Sequence, residues 1–254
     1  MHLSVKDNFM TFTKEFEGGP TIDYMFIDSA GRIGTAYGVD LDFNGNGPPR
    51  SLDLSRSQGL PRAKQLSWVL RSTGQPADEN AVAAEWETIK ALPLPPKKFT
   101  WYKQSAKLKL TDASIKKRVL QMAADNETTL KKSTAFSNFE RWPADAQLVV
   151  LGLSWNGVGN LLGDSQATLL HPQQFRAACQ AEDFNRAAEY CRMSEVDTND
   201  SIYRRWMAQR TCLWNAAIVL QEEFLGNYNR ATLYWPRMLD PRLVTSPPHP
   251  NLIR

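Results

Sequence analysis

The sequence predicts an α+β fold: one amphipathic helix, a small antiparallel β-hairpin lobe, then a mainly helical lobe. Three observations predict it. Phe9, Phe12 and Phe16 recur at spacings of three and four, which is one face of a helix. From Tyr24 to Val39 the chain changes to short β-branched and aromatic runs, broken by Asp28-Ser-Ala-Gly31, a turn signal. Beyond the loop Asp40–Pro49 the apolar period is helical almost everywhere.

Taken in order, the first helix is predicted over Val5–Glu17. It stops at Gly18-Gly19-Pro20, because glycine takes the left-handed cap and proline cannot continue the helix. Helices are then predicted over Arg62–Arg71, Glu79–Leu92, Asp112–Leu130, Ala144–Trp155, Pro172–Ala181, Phe184–Arg192 and Ile202–Phe224. Pro93-Leu-Pro95-Pro96 separates the second of these from the third. The tail from Pro236 carries five prolines and is expected as an extended strap over the surface or as a partly mobile segment. The chain is expected to form one domain over 1–254, with a β-lobe at about 18–60, a helical lobe at 61–235 and the tail at 236–254.

Composition narrows the class. Of 254 residues, 42% are hydrophobic and 22% charged, enough apolar content for a buried core rather than a disordered chain. No apolar run approaches the roughly 18 residues that cross a bilayer, so no stable membrane insertion is expected. The first residues lack the basic stretch and apolar core of a Sec signal. Three cysteines (Cys179, Cys191, Cys212) without CxxC spacing predict neither a zinc site nor a disulfide framework. Three scattered histidines (His2, His171, His249) predict no triad or histidine metal cluster, and GxSxG, P-loop, GxGxxG and HExxH are absent. Asp40-Leu-Asp42-Phe-Asn44-Gly45 spells the opening of a calcium loop. Ser51 stands at its closing position instead of glutamate, so the segment reads as an Asx-rich turn and no metal or cofactor is expected.

A net charge of +3 does not by itself announce a nucleic-acid partner, and none is expected. The charge is uneven, however. From Lys97 to Arg118 there are eight basic residues and one acid, Asp112: either a solvated helical face or a surface that attracts an anionic polymer.

Chemistry is expected at Glu17 and Asp28. A carboxyl at a helix C-terminus faces the negative end of the dipole, and the three phenylalanines before it supply an apolar wall; both favour the protonated acid. Asp28, on a hairpin turn, is expected to stay ionised. Two carboxyls in such different settings are the minimal apparatus for cleaving a glycosidic bond.

The wider pattern resembles the phage-type lysozymes. It is carried by Phe16-Glu17-Gly18, by Tyr24-Met-Phe-Ile-Asp28-Ser-Ala-Gly31 and by Thr35-Ala-Tyr-Gly38. Further matches are the helix from Trp142 to Trp155-Asn156-Gly157, the segment Phe175–Cys191, and Arg204-Arg205-Trp-Met-Ala-Gln-Arg210 with Trp214-Asn215-Ala216. Within that family the hairpin and Phe99-Thr-Trp-Tyr102-Lys103 are similar to lysozyme-like effector domains of bacterial type VI secretion systems. The resemblance spans roughly Phe9 to Ala217.

It implies a muramidase cleaving the MurNAc–GlcNAc β-1,4 bond of peptidoglycan. Glu17 matches the general acid, Asp28 with Thr35 the groups that position and activate water, and Tyr37 and Asn156 the substrate-binding residues. Arg205 or Arg210 matches the basic residues of the closing helices that hold the first helix. The family's usual offsets are nine from Glu to Asp and six from Asp to Thr, against eleven and seven here. Gly34 stands where strict counting puts the threonine, and Ala36 replaces the first glycine of the Gly-x-Gly turn. The extra residues are expected in Gly18–Asp23, with a bulge at Gly34 restoring the face of Thr35; Glu15 is the fallback acid. The role implied is an antibacterial effector or endolysin. It would be made in the cytoplasm and act in the periplasm of a target cell, with an immunity protein and a secretion-machine component as possible partners. The alternatives are a lysozyme-fold module that binds glycan or a partner protein without cleaving, and a nucleic-acid-binding helical domain.

Overall fold

A computed structural model describes residues 1–16, 22–28, 31–37, 39–41, 59–93, 99–156, 158–163 and 169–239. The architecture is α+β, mostly helical, with two small antiparallel sheets. The chain divides into two compact units, not at residue 61 as expected: Met1–Phe16 join Met122–Arg254 in the first, and Glu17–Gln121 make the second.

In the first unit, α1 (Leu3–Phe16) packs on α5 (Ala144–Leu153) and α9 (Asp200–Glu222). All ten residues of α5 are buried, including Asp145 and Gln147. A helix enclosed on every side belongs at the centre of its unit, and α5 holds that place here. Gly152 is the point of closest approach. A Cβ there would lie 2.8 Å from Cε1 of Phe12 on α1. The Gly152 carbonyl also accepts a 2.6 Å hydrogen bond from Nη2 of the buried Arg205 on α9. A second core patch gathers round Trp142, whose ring meets Phe136, Phe139 and Phe184 at centroid distances of 5.3–6.0 Å.

Helix ends follow local chemistry. Asn199 accepts hydrogen bonds from the backbone N–H groups of Ser201 and Ile202, so α9 begins two residues earlier than its apolar period implied. Asp183 caps α8 (Phe184–Tyr190), and Pro172 opens α7 (Pro172–Gln180). Residues Tyr234 to Leu239 are bonded to this unit. Asp145 Oδ1 accepts from Asn215 Nδ2 (3.0 Å) and Trp235 N–H (3.1 Å), and Oδ2 accepts from Tyr234 N–H (2.9 Å). Asn215 in turn donates to the Arg237 carbonyl and accepts from Leu239 N–H.

The second unit holds β1 (Ile22–Ile27), β2 (Ile33–Ala36) and β3 (Val39–Asp40), an antiparallel meander in that order. It also holds helical residues 59–64 (α2), α3 (Glu79–Lys90), and a hairpin of β4 (Trp68–Leu70) with β5 (Leu108–Leu110). The expected helix Arg62–Arg71 is corrected here: it stops at 64 and Trp68-Val-Leu70 is a strand. Leu108-Lys-Leu110 alternates with period two and supplies its partner from far along the chain, which overrides local helical period. Glu85 completes the arrangement, its Oε1 accepting from the N–H groups of Lys107 (2.8 Å) and Leu108 (3.2 Å). The division between units falls inside α4 (Asp112–Leu130). No helix among the described residues is long and apolar enough to cross a membrane.

Two tests follow from the first unit. Gly152→Ala gains helix propensity but drives a methyl into the packed Phe12 ring, and a net loss of about 1–2 kcal/mol is expected in urea unfolding. Burial raises the Asp145 pKa from 3.8 to about 6, against the opposing pull of its N–H donors. Between those values the folded protein holds a proton that the unfolded chain has released. Its contribution is therefore complete below about pH 4 and lost as pH rises through 6, on the order of 3 kcal/mol. Asp145→Asn is expected to flatten that part of the stability-against-pH curve relative to the parent.

Candidate functional site

Asp28 sits where β1 ends. Its N–H donates to the Arg32 carbonyl (2.9 Å), and Gly31 N–H donates back to the Asp28 carbonyl (3.0 Å). Gly31 has φ +75°, the left-handed conformation that glycine adopts without steric cost. The hairpin thus fixes the carboxylate on a turn, with its side chain 24% exposed. Arg32 engages both oxygens: its N–H donates to Oδ1 (2.9 Å), while Nε and Nη2 each lie 2.8 Å from Oδ2. Nearby, the buried Tyr102 donates its hydroxyl to the Pro93 carbonyl, and its phenol pKa is raised by burial first and by the Asp28 charge second. Lys90 Nζ donates to the Gly31 carbonyl and braces the same turn.

Glu17, with Gly18–Pro20, lies outside the described residues, as do Gly38 and residues 42–58 with the Asx-rich loop. α1 ends at Phe16, so Glu17 is the next residue of the chain. Glu15 is exposed on α1. Asn156 closes a short 3-10 turn in the first unit, and its side chain is likewise outside the described set.

Thr35 and Tyr37 do not sit where their expected roles require. Thr35 is fully buried, and its hydroxyl donates to the Tyr24 carbonyl (3.0 Å). A hydroxyl enclosed and spent in this way holds two strands together rather than a water on an open surface. Tyr37 is only 6% exposed, so its ring is core rather than a sugar platform. The reason lies in strand register. The irregularity is in β1 and not at Gly34: Ile22 pairs with Ala36 and Phe26 with Gly34, so β1 spends four steps against two on β2. The two extra residues of β1 form a bulge between Ile22 and Phe26. Position 34 itself admits no side chain, since a Cβ there would lie 2.9 Å from Cζ of the buried Phe26. Ala36, where the resemblance calls for glycine, has φ +51°. A left-handed conformation at a residue that carries a Cβ costs about 1 kcal/mol.

Three charged positions escaped the sequence reading. Arg32 is the cross-turn partner of Asp28, four residues on. Arg71 pairs with Asp23 (2.9 Å) and stacks over the Tyr24 ring. Glu85 is 3% exposed, and burial raises its pKa against two backbone N–H bonds. Its position on the stripe Val82, Glu85, Trp86, Ile89 was the available signal, a carboxyl written into a core face. Among the described residues no three His, Cys, Asp or Glu side chains converge to hold a metal ion.

Comparison with family models, with curated proteins and with solved structures returns no match to this chain. What the site can do is therefore read from its own residues. Thr35→Val keeps the shape and removes the hydroxyl. A structural role predicts a loss of about 1 kcal/mol in stability, measured by thermal melt.

Proposed function

We propose that the protein is a peptidoglycan-cleaving glycoside hydrolase of the muramidase type. The observation that carries this reading is the placement of Asp28: a partly exposed carboxylate on the first turn of an antiparallel meander, in the chain segment that follows the end of α1 at Phe16. The packing of α1 on α5 and α9, with Arg205 bonded to α5, adds support, because the resemblance assigns the closing helices to holding the first helix.

In this reading Glu17 protonates the glycosidic oxygen as the bond to the leaving sugar breaks. Asp28 accepts a proton from the water that attacks the anomeric carbon, and Arg32 holds the carboxylate in place. A separation of about 6.5–9.5 Å between the two carboxyls goes with inversion. Thr35 acts only through β1, by anchoring the Tyr24 carbonyl. Delivery by a secretion machine or a phage lysis system, action in the periplasm of a target cell, and control by an immunity protein belong to the same proposal.

Glu17→Gln and Asp28→Asn are each expected to lower release of soluble muropeptides from purified sacculi at least about 100-fold, with melting temperatures within a few degrees of the parent. Mass spectrometry of the products identifies the bond cut. Unchanged release from Glu17→Gln removes Glu17 as the acid.

A second reading is favoured by the burial of Thr35 and the engagement of Asp28 by Arg32: a lysozyme-like module that binds wall glycan without cleaving it. Tight binding to sacculi by the parent protein, without soluble products, selects it.

A further inference from the structure

A second feature of the Glu17–Gln121 unit has no part in that chemistry. Lys103 lies in the 3-10 turn before β5, Lys107 and Lys109 alternate along β5 and its approach, and Lys116 and Lys117 lie in the first turns of α4. Leu108 and Leu110 face the core, so period two sends Lys107 and Lys109 to the opposite face. On α4, Ser114, Ile115 and Val119 are buried while Lys116 and Lys117 are exposed. Consecutive elements thus turn five ammonium groups outward within a short length of chain. Among the described residues none of the five forms a hydrogen bond or ion pair through its side chain. Glu85, the acid that acts on Lys107, is buried beneath the strand, and Asp112 is the one acid of the stretch. Trp101, two residues before Lys103 in the same turn, is 37% exposed with its ring edge-on to Tyr102. The whole chain carries only +3, so this charge is concentrated rather than general.

We propose that this lysine face with Trp101 is a docking surface for the carboxylate-bearing glycan–peptide mesh of the bacterial wall. It holds the enzyme on its insoluble substrate apart from the bond-cleaving residues. The proposal deepens the muramidase reading and rests on it for the choice of polymer. Charge complementarity selects an acidic occupant. The residue types favour dispersed carboxylates over phosphodiesters: ammonium groups are hydrated point charges suited to single negative charges, whereas paired phosphate oxygens favour arginine forks, and five lysines stand here against one half-buried arginine, Arg118, which already has an interaction of its own. The exposed indole offers a flat apolar surface to a sugar ring.

The test is co-sedimentation of the full-length Glu17→Gln protein, which leaves the polymer intact, with purified sacculi at about 50 and 300 mM salt. A second preparation of sacculi has its carboxyls capped as methylamides. Binding is expected to fall at least about tenfold at the higher salt and on capped sacculi. A similar fall at low salt is expected in the variant that adds K103Q, K107Q, K109Q, K116Q and K117Q. Should that variant melt early, the pair K116Q and K117Q on α4 is expected to give a smaller loss in the same direction. In the Glu17-containing protein the five substitutions are expected to raise KM on sacculi with kcat unchanged. Equal binding to native and capped sacculi, or equal binding by parent and variant, overturns the proposal. Tighter binding to duplex DNA than to sacculi at the same salt also overturns it, in favour of a nucleic acid. Charge-dependent docking by a protein that releases no muropeptides leaves this surface standing while the hydrolase reading fails.

Discussion

The first unit closes around a missing side chain. Gly152 lets the Phe12 ring settle on α5 and leaves its carbonyl open to the Arg205 guanidinium, so α1, α5 and α9 share one contact point. Interiors are packed at crystal density, and a single methyl at such a point is felt by every neighbour. Phe12 cannot yield easily, because Phe16 and Trp235 flank it at centroid distances of 4.9 and 5.2 Å. The position of the last turn of α1, and so the point from which Glu17 leaves the helix, follows from this packing.

A second constraint is polar and works by the opposite logic. Asp145 is buried in the most apolar helix of the chain, where a carboxyl costs free energy unless its oxygens are bonded. Asn215 and the backbone of Tyr234 and Trp235 satisfy it, and Asn215 passes the connection on to Arg237 and Leu239. An irregular segment with little secondary structure is thereby ordered through its own N–H groups. The second unit uses Glu85 in the same way, to terminate backbone N–H groups of β5 that no strand reaches.

Much of this was legible in the sequence. The Phe9–Phe12–Phe16 stripe, the turn at Asp28–Gly31 and the long helical periods from Asp112 onward correspond to α1, the β1–β2 hairpin and the helices from α4 to α9 apart from the four-residue α6 (Gly159–Leu162), which the sequence did not announce, with ends corrected by caps such as Asn199. What was not legible depends on distant partners. Trp68-Val-Leu70 becomes a strand only because Leu108–Leu110 lies beside it. The offset of Thr35 could be counted but not interpreted. Extra residues in a strand look the same on the page whether they form a loop before it or a bulge within it, and only pairing with β2 separates the two. Glu85 and Asp145 were readable as acids on buried faces, yet their donors are backbone groups that carry no sequence signature.

The partition of the chain has a consequence for biosynthesis. α1 is translated first, but the helices it packs against span residues 144–222, so its apolar face waits while more than a hundred residues emerge. The intervening segment 17–121 contains its own local pairings and can collapse meanwhile. Long-range closure of this kind is slow and leaves Phe9 and Phe12 in water until a late step. Until α9 is complete, that apolar face is the kind of transiently exposed surface on which folding intermediates associate.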